Sequence, residues 1–236
     1  MIIKKSNIGQ SIRNSLLCLI LGTNLCHAEG MGETSLDIST DLLPYHDKLK
    51  KRDPSDINLI VIHSTELSDM KEARFYAERI LYPQNSKNSK GHYGDGTGAA
   101  GHYYVDRQGQ ITRYINDARI AHHVKGHNKK TIGIEVVNRG RYPQSHFSRN
   151  QNVKEEFPEA QIIALAQLIN HLKEKYPGIK ALAGHVDLDR RLVPANNAPH
   201  VLIRRKLDPG PLFPWEKISR MSGLKRIRPY FNIKEE

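Results

Sequence analysis

A nearly continuous apolar run, Ile-Asn-Leu-Ile-Val-Ile-His at residues 57–63, has the β-branched composition of a strand that is buried on both faces of a sheet. Two further runs have a similar character, at residues 131–137 and 179–184. Strands of this kind need cover on both faces, and helices usually supply it. These runs therefore predict the inner strands of a sheet that is covered by helices.

Helices and a hairpin are predicted between the apolar runs. Helix-favouring composition extends over residues 69–82, where Pro83 stops it. A longer helix is predicted over residues 156–176, with apolar residues at three- and four-residue spacing on one face. Two short apolar segments, residues 102–105 and 111–115, flank a polar turn and predict an antiparallel hairpin.

The alternation of strands and helices indicates the α/β class. Because the hairpin is antiparallel whereas helix-linked strands can be parallel, the central β-sheet is expected to be mixed. The chain has 236 residues, of which 38% are hydrophobic and 26% charged, a composition that excludes general disorder and suits one core. We therefore expect a single domain with a central mixed β-sheet flanked by helices, and a functional site at the strand ends.

The first 28 residues have the pattern of a secretory signal peptide. Lys4, Lys5 and Arg13 precede an apolar run at residues 15–21, and Ala28 supplies the small residue that signal peptidase requires. The run is too short for a permanent membrane span, so we expect cleavage and a periplasmic protein. An uncleaved anchor and lipidation at Cys26 are the alternatives, although no lipobox precedes that cysteine.

The charge and the cysteine content of the mature chain limit which partners and which metal ligands it can use. Without residues 1–28 the chain carries 33 basic and 25 acidic side chains, a net charge of +8. In an exported protein such a charge favours an anionic cell-wall polymer or a membrane surface, and not nucleic acid, as the binding partner. The alternative is a generally basic protein with no particular acidic ligand. Both cysteines, Cys18 and Cys26, lie in the predicted signal peptide, which excludes disulfides and thiolate ligands from the mature chain.

Two histidines and one aspartate are candidates for a metal site. His63 and His185 each come directly after an apolar strand, and Asp208 lies in a later loop before a proline. Two imidazoles and one carboxylate, with a fourth position open to water, form a known catalytic zinc arrangement. With twelve histidines in the chain, structural roles for His63 and His185 are the alternative on spacing alone.

Five ordered blocks of the sequence resemble those of the type 2 N-acetylmuramoyl-L-alanine amidases, relatives of phage T7 lysozyme, of the AmpD and AmiD amidases and of the peptidoglycan recognition proteins. The blocks are residues 61–65, 101–106, 132–135, 184–188 and 205–211. The resemblance covers residues 55–218, nearly all of the mature chain. It implies a zinc amidase domain at 53–218. The signal peptide at 1–28 precedes this domain, the polar residues 29–52 predict a lead-in segment, and the basic residues 219–236 predict a tail.

The resemblance also assigns roles to residues. It implies that His63, His185 and Asp208 hold Zn²⁺, that Glu135 assists the attacking water, and that Lys206 faces the developing oxyanion. Without the resemblance, Glu135 and Lys206 would be interpreted as an ion-paired strand carboxylate and an exposed lysine.

Other residues depart from the family pattern or have two interpretations. His123 matches the family's wall-facing histidine, and His122 replaces the usual tryptophan before it. His123 and His102 are predicted to bind the carboxylates of the substrate, with packing, or a role in supporting the metal ligands from behind, as the alternatives. Residues 188–205 are predicted to form an inserted loop at the rim of the cleft.

The function implied is zinc-dependent hydrolysis of the amide bond between the N-acetylmuramoyl lactyl group and L-alanine, in peptidoglycan or muropeptides. We expect a monomer without nucleic-acid partner or stable membrane insertion. The main alternative is a non-catalytic protein that binds peptidoglycan. A zinc peptidase is less consistent with the sequence, which lacks the His-Glu-x-x-His pattern.

Overall fold

The computed structural model of the protein describes residues 36–79 and 97–228. The predicted signal peptide, residues 1–28, lies outside these ranges, as does Pro83. Within them, no helix is long and apolar enough to cross a membrane.

The described elements alternate between strand and helix, as predicted. In chain order they are β1 (Ile38–Thr40), β2 (Leu59–Ser64), α1 (Met70–Glu78), β3 (Tyr103–Val105), β4 (Ile111–Arg113), β5 (Thr131–Val136), α2 (Glu159–Lys175), β6 (Ala181–Gly184), α3 (His185–Leu188), β7 (Leu192–Ala195), β8 (Ala198–Arg204), α4 (Trp215–Ser222) and β9 (Lys225–Arg226).

Seven of these strands form one sheet in the order β1-β4-β3-β5-β2-β6-β9. The hairpin pair β3–β4 is antiparallel, and the other neighbours are parallel. The predicted α/β class with a mixed central sheet is therefore confirmed. Strands β7 and β8 form a separate antiparallel pair.

The central strands use alternate residues for the core and for the site. One face of β2 and β5 joins the main core with α2, through Ile60, Ile62, Ile132, Ile134 and Val136. The intervening residues lie on the opposite face: Leu59, Val61 and His63 on β2, and Thr131, Gly133 and Glu135 on β5. Because the two strands pair with His63 opposite Glu135, both side chains reach the same end of that face.

Helix α2 covers the core face with a buried stripe that includes Ile162, Leu165, Ile169 and Leu172. Its observed start at Glu159 is later than predicted, since Pro158 at the N-cap is extended. Helix α1 begins after Asp69, whose side chain accepts a hydrogen bond from the backbone N–H of Glu72.

The predicted lead-in and tail both contribute to the domain. Within the lead-in, β1 pairs in parallel with β4. The prediction of a basic tail from residue 219 is wrong for its first part, because α4 continues to Ser222 and β9 pairs with β6. Ile218 and Leu224 are buried here, while Arg220 and Lys225 are exposed. Because exposed cations stand among the few buried apolar residues, the apolar pattern was not recognised in the sequence.

The inserted segment 188–205 is a hairpin and not a loop. Strands β7 and β8 pair from Leu192 opposite Arg204 onwards. The turn between them binds the segment after β5: Asn196 N donates to His146 O at 2.8 Å, and Ser148 N donates to Asn197 Oδ1 at 2.8 Å. The hairpin thus supports a neighbouring segment.

A buried carboxylate ties the hairpin β3–β4 to the end of α2. Asp117 accepts hydrogen bonds from the hydroxyls of Tyr103 at 2.6 Å and Tyr176 at 2.7 Å, and from Lys175 Nζ at 2.9 Å. Arg52 Nε donates to the Asp117 backbone oxygen at 2.7 Å. Because Asp117 is only 2% exposed, these donors replace its hydration.

Asp117→Ala is expected to lower the free energy of unfolding by about 3 kcal/mol, because it leaves buried donors without their acceptor. Urea unfolding followed by circular dichroism measures the change. The matched control is Asp47→Ala, since the Asp47 side chain is 90% exposed although it also pairs with an arginine. That variant should lose less than about 1 kcal/mol, and equal losses would contradict the role given to Asp117.

Candidate active site

Three buried side chains from distant parts of the chain converge at one end of the sheet. His63 comes from β2, His185 from the first residue of α3, and Asp208 from the loop between β8 and α4. Asp208 Oδ2 lies 2.9 Å from His63 Nδ1 and 3.1 Å from His185 Nδ1. One ligand atom from each residue lies within 4.8 Å of the other two.

The chain brings Asp208 to this place through a close backbone contact. Val186 N donates to Asp208 O at 3.0 Å, so the loop is joined to α3. A Cβ atom at Gly184 would lie 2.9 Å from Pro209 Cδ and 3.1 Å from Trp215 Cζ2. Glycine at the end of β6 therefore allows the Asp208 loop to approach the strand.

The three residues fit a zinc ion. Ligand atoms bound at about 2.0–2.1 Å in a tetrahedron lie roughly 3.3 Å apart, close to the two observed nitrogen–oxygen distances. Burial lowers the pKa of His63 to about 4, although the nearby Asp208 carboxylate opposes this shift, and so favours the neutral imidazole that a metal requires. Asp208 Oδ1 is buried without a hydrogen-bond partner in the described ranges, and a cation would satisfy it.

The charge state of Asp208 also suits a ligand. Burial opposes ionisation of this carboxyl, but the charge and hydrogen bond of His185 outweigh it. The pKa of Asp208 is therefore held well below its ordinary value, and the side chain is a carboxylate at neutral pH.

Glu135 lies beside this cluster. Its Oε1 is 4.0 Å from His63 Nδ1, and its side chain is 15% exposed. Burial, followed by the negative charge of Asp208, raises the pKa of Glu135 to about 8. A Cβ atom at Gly101 would lie 2.9 Å from Glu135 Cγ, so the glycine leaves room for this side chain. A carboxyl in this environment is suited to proton transfer near neutral pH.

A cavity of about 480 Å³ gives access to the cluster. It is lined by the three candidate ligands, Glu135 and Lys206, and further by residues that include Glu66, Tyr76, Arg79, His122, His123, Tyr142 and Ser145. The segment carrying Tyr142 and Ser145 is the one that the β7–β8 hairpin supports, while the hairpin strands themselves do not line the cavity.

An ion pair that the sequence did not reveal shapes one wall of this cavity. Arg141 is fully buried, and its Nε donates to Glu66 Oε1 at 2.6 Å while its Nη2 donates to Glu66 Oε2 at 3.2 Å. Arg141 Nη1 also donates to Arg204 O at 2.8 Å, which links the wall to the hairpin.

His123 lines the cavity, but both of its ring nitrogens are engaged within the protein. Its Nδ1 lies 3.0 Å from His63 Nε2, and its Nε2 lies 3.0 Å from Thr131 Oγ1. This arrangement favours a role in holding His63 over the substrate contact predicted for His123. Thr131 could have been noticed in the sequence, since it lies two residues before Gly133 and four before Glu135, on the same face of β5.

The predicted substrate contact of His102 does not agree with its position. His102 is fully buried and lies outside the lining of the cavity. Its Nδ1 accepts a hydrogen bond from Gly133 N at 3.0 Å, and its Nε2 lies 2.9 Å from Arg52 Nη2 and 3.1 Å from Arg119 O. Packing, the alternative interpretation, describes this residue.

The fold and the site define an α/β protein with a candidate metal centre, and a proton-transfer carboxyl beside it, in an open cavity. The chain belongs to the N-acetylmuramoyl-L-alanine amidase family, whose model matches residues 53–211, more than half of the chain. Comparison with curated protein sequences gives no match. Family membership supports a peptidoglycan amidase activity.

Solved structures share the fold at low sequence identity. The N-acetylmuramoyl-L-alanine amidase LysC from Clostridium intestinale URNW is 21% identical with a TM-score of 0.53, over 80% of this chain and 99% of that one. AmiD from E. coli, in complex with anhydro-N-acetylmuramic acid-L-Ala-D-γ-Glu-L-Lys, is 23% identical with a TM-score of 0.51, over 72% of this chain and 58% of that one. AmpDh3 from Pseudomonas aeruginosa, in complex with an anhydromuramic pentapeptide, is 20% identical with a TM-score of 0.52, over 72% and 61%.

Proposed function

We propose that the protein is a zinc-dependent amidase that cleaves the bond between the N-acetylmuramoyl lactyl group and L-alanine in peptidoglycan or muropeptides. The observation that carries the proposal is the convergence of His63, His185 and Asp208 next to Glu135 in an open cavity. When bound by these ligands, zinc supplies Lewis-acid polarisation of the amide carbonyl and lowers the pKa of a water molecule from 15.7 towards about 7.

Glu135 is the group that moves the proton. Its carboxylate accepts a proton from the attacking water as the new carbon–oxygen bond forms. It then delivers this proton to the alanine nitrogen as the carbon–nitrogen bond breaks, so that a free amine leaves. The raised pKa of Glu135 suits both transfers, because a base near neutrality is neither too weak to accept nor too strong to release the proton.

Lys206 stabilises the charge that develops on the carbonyl oxygen. It lines the cavity, and its positive charge partly opposes the rise in the pKa of Glu135 and contributes to lowering the pKa of Asp208, so it acts electrostatically on the reaction centre. An ammonium in the cavity stabilises a tetrahedral oxyanion more than a neutral carbonyl.

Lys206→Met is expected to lower kcat by roughly 10²–10³-fold, since one oxyanion-stabilising group is removed. The zinc content should stay at one per chain, because Lys206 is not a ligand. Steady-state kinetics and metal analysis measure both quantities. Lys125→Met, at an exposed lysine outside the cavity, is the matched control, and equal effects of the two changes would reject the role of Lys206.

Muropeptides fit the proposed function as substrates. AmiD and AmpDh3, which share this fold, are described with anhydromuramic acid peptides bound. The cavity offers cations and aromatic side chains, among them Arg79, Tyr76 and Tyr142, for an anionic stem peptide. A non-catalytic binding protein would not need the complete set of candidate ligands together with Glu135 and Lys206.

The function is tested by incubating the purified protein with a defined muropeptide, with and without a chelator, and analysing the products by mass spectrometry. Release of a stem peptide that begins at L-alanine, stopped by chelation and restored by zinc, is the expected result. Intact but bound muropeptide would instead establish the binding protein.

We also propose export to the periplasm by a signal peptide at residues 1–28, from the charged and apolar pattern of that segment. Fractionation of expressing cells and the intact mass of the recovered chain test this. A chain that starts at residue 29 in the periplasmic fraction is expected, and an uncut chain in the cytoplasm would overturn the proposal.

A further inference from the structure

A chain of hydrogen bonds runs behind the metal-facing side of His63. His63 Nε2 lies 3.0 Å from His123 Nδ1, and His123 Nε2 lies 3.0 Å from Thr131 Oγ1. Thr131 Oγ1 in turn donates to His127 O at 3.1 Å. The Nε2 of His63 and both ring nitrogens of His123 therefore belong to one chain of hydrogen bonds that ends on a backbone carbonyl.

Donors and acceptors can be assigned along this chain of hydrogen bonds, because it ends on a backbone carbonyl oxygen. A carbonyl oxygen only accepts, so the Thr131 hydroxyl hydrogen points to His127 O and its oxygen is left to accept from His123 Nε2–H. With its hydrogen on Nε2, a neutral His123 has a bare Nδ1, which accepts from His63 Nε2–H. His63 Nδ1 then carries no hydrogen, as a metal ligand requires.

The reverse direction would be incompatible with metal binding. If the Thr131 hydroxyl donated to His123 Nε2, its bond to His127 O would be lost and His123 would carry its hydrogen on Nδ1. His63 Nε2 would then have to accept, and the hydrogen on His63 Nδ1 would point at Asp208. The direction of these hydrogen bonds therefore decides whether His63 Nδ1 is free to bind a metal or carries a hydrogen that prevents it.

The surrounding backbone holds this chain of hydrogen bonds in place. A Cβ atom at Gly133 would lie 2.6 Å from both Cγ and Nδ1 of His123, so the imidazole rests directly on β5. Asn128 Oδ1 accepts from the backbone N–H groups of His123 at 3.1 Å and Val124 at 2.7 Å. Arg52 Nη1 donates to Thr131 O at 2.6 Å, which restrains the first residue of the strand. Little freedom remains for His123 to choose other partners.

We propose that Thr131 is a positioning residue for the metal centre: its hydroxyl, acting through His123, sets the tautomer of His63 and leaves His63 Nδ1 free to bind zinc. The inference rests on the proposed function in that it takes His63 as a zinc ligand. It assigns a task to a buried residue that touches neither metal nor substrate.

Zinc affinity, measured by competition with a chromogenic chelator, tests this assignment without reference to turnover. Thr131→Val keeps the shape of the side chain but removes the acceptor for His123 Nε2–H, and is expected to weaken zinc binding roughly 10-fold. Groups that hydrogen-bond to a metal ligand typically change metal affinity about 10–100-fold. The lower value is expected here because Thr131 contacts His123 and not the ligand His63 itself. Thr131→Ser retains the hydroxyl and should bind zinc like the unchanged protein.

A double-variant comparison separates the relay from a general packing effect. His123→Phe removes the intermediate ring nitrogens and should itself weaken zinc binding, and Thr131→Val should cause no further loss in that background. An equal loss from Thr131→Val with or without His123 would overturn the proposal, as would unchanged affinity of the single variant.

Nuclear magnetic resonance of the unchanged protein, labelled with ¹⁵N-histidine and loaded with zinc, tests the tautomers directly. The expected spectrum shows the hydrogen of His123 on Nε2 and that of His63 on Nε2. A His123 protonated on Nδ1 alone would overturn the inference even if Thr131→Val fails to fold. Failure of the unchanged protein to bind zinc would reject the proposed function as well, whereas normal zinc binding with the wrong tautomer rejects the inference alone.

Discussion

Replacing Glu135 by glutamine is expected to lower kcat by about 10²–10⁴-fold while the protein keeps its zinc. Glutamine has nearly the same shape but neither accepts the proton of the attacking water nor returns one to the alanine nitrogen. Because Glu135 Oε1 lies 4.0 Å from His63 Nδ1 and is not among the candidate ligands, the metal should remain bound. Steady-state kinetics with a muropeptide, together with metal analysis of the same sample, measure both effects.

The two measurements distinguish a proton carrier from a structural carboxylate. If Glu135 only held the site together, glutamine would lower zinc content or thermal stability along with kcat. Glu216→Gln, an exposed glutamate on α4, is the matched control and should leave all three unchanged. A Glu135→Gln enzyme with full turnover would remove Glu135 from the mechanism.

Asp208→Ala is expected to abolish turnover by removing zinc. The variant deletes the only carboxylate of the three candidate ligands, and with it the oxygen that lies close to both imidazoles. Partners outside the ligand shell alone change metal affinity 10–100-fold, so loss of a ligand should weaken zinc binding by more than about 100-fold. Chelator competition measures the affinity, and the muropeptide assay measures the activity.

The unchanged protein treated with a chelator provides the comparison for Asp208→Ala. Both samples should show the same residual activity, and added zinc should restore only the unchanged protein. Substantial activity of Asp208→Ala in zinc-free buffer would mean that the reaction does not depend on this centre.

Local patterns were sufficient to predict the inner strands of the sheet and its hairpin, but not the edge strands β1 and β9. Strands β2, β5 and β6 are rich in apolar residues because most of their residues are buried, and such runs can be recognised in the sequence without any tertiary contact. The strand ends pointed to His63 and His185 for the same reason: a polar residue after a buried strand lies at the edge of the sheet, where a cavity can form. The resemblance supported Asp208, already a candidate from the sequence, and added the roles of Glu135 and Lys206, which no spacing would have selected.

The end of the domain and the inserted segment could be predicted less well from the sequence. Residues 219–226 appeared as a basic tail because a short helix and a two-residue strand bury few side chains and expose their cations. The segment 188–205 appeared as a loop, although β7 and β8 pair as strands and the turn between them is hydrogen-bonded to the segment after β5.

The sequence by itself determined the α/β class, the inner strands, the family and the identity of the metal-ligand candidates, since these depend on periodicity and on ordered motifs. Only the tertiary structure decided what the other histidines do. His63 and His123 are 60 residues apart and Asp208 lies 145 residues from His63, so their contacts follow from the register of parallel strands and from loop packing. That packing buries His102, places His123 behind His63 and brings Thr131 against His123. These contacts could not be predicted from spacing in the chain, because hydrogen bonds in a buried site depend on where side chains meet.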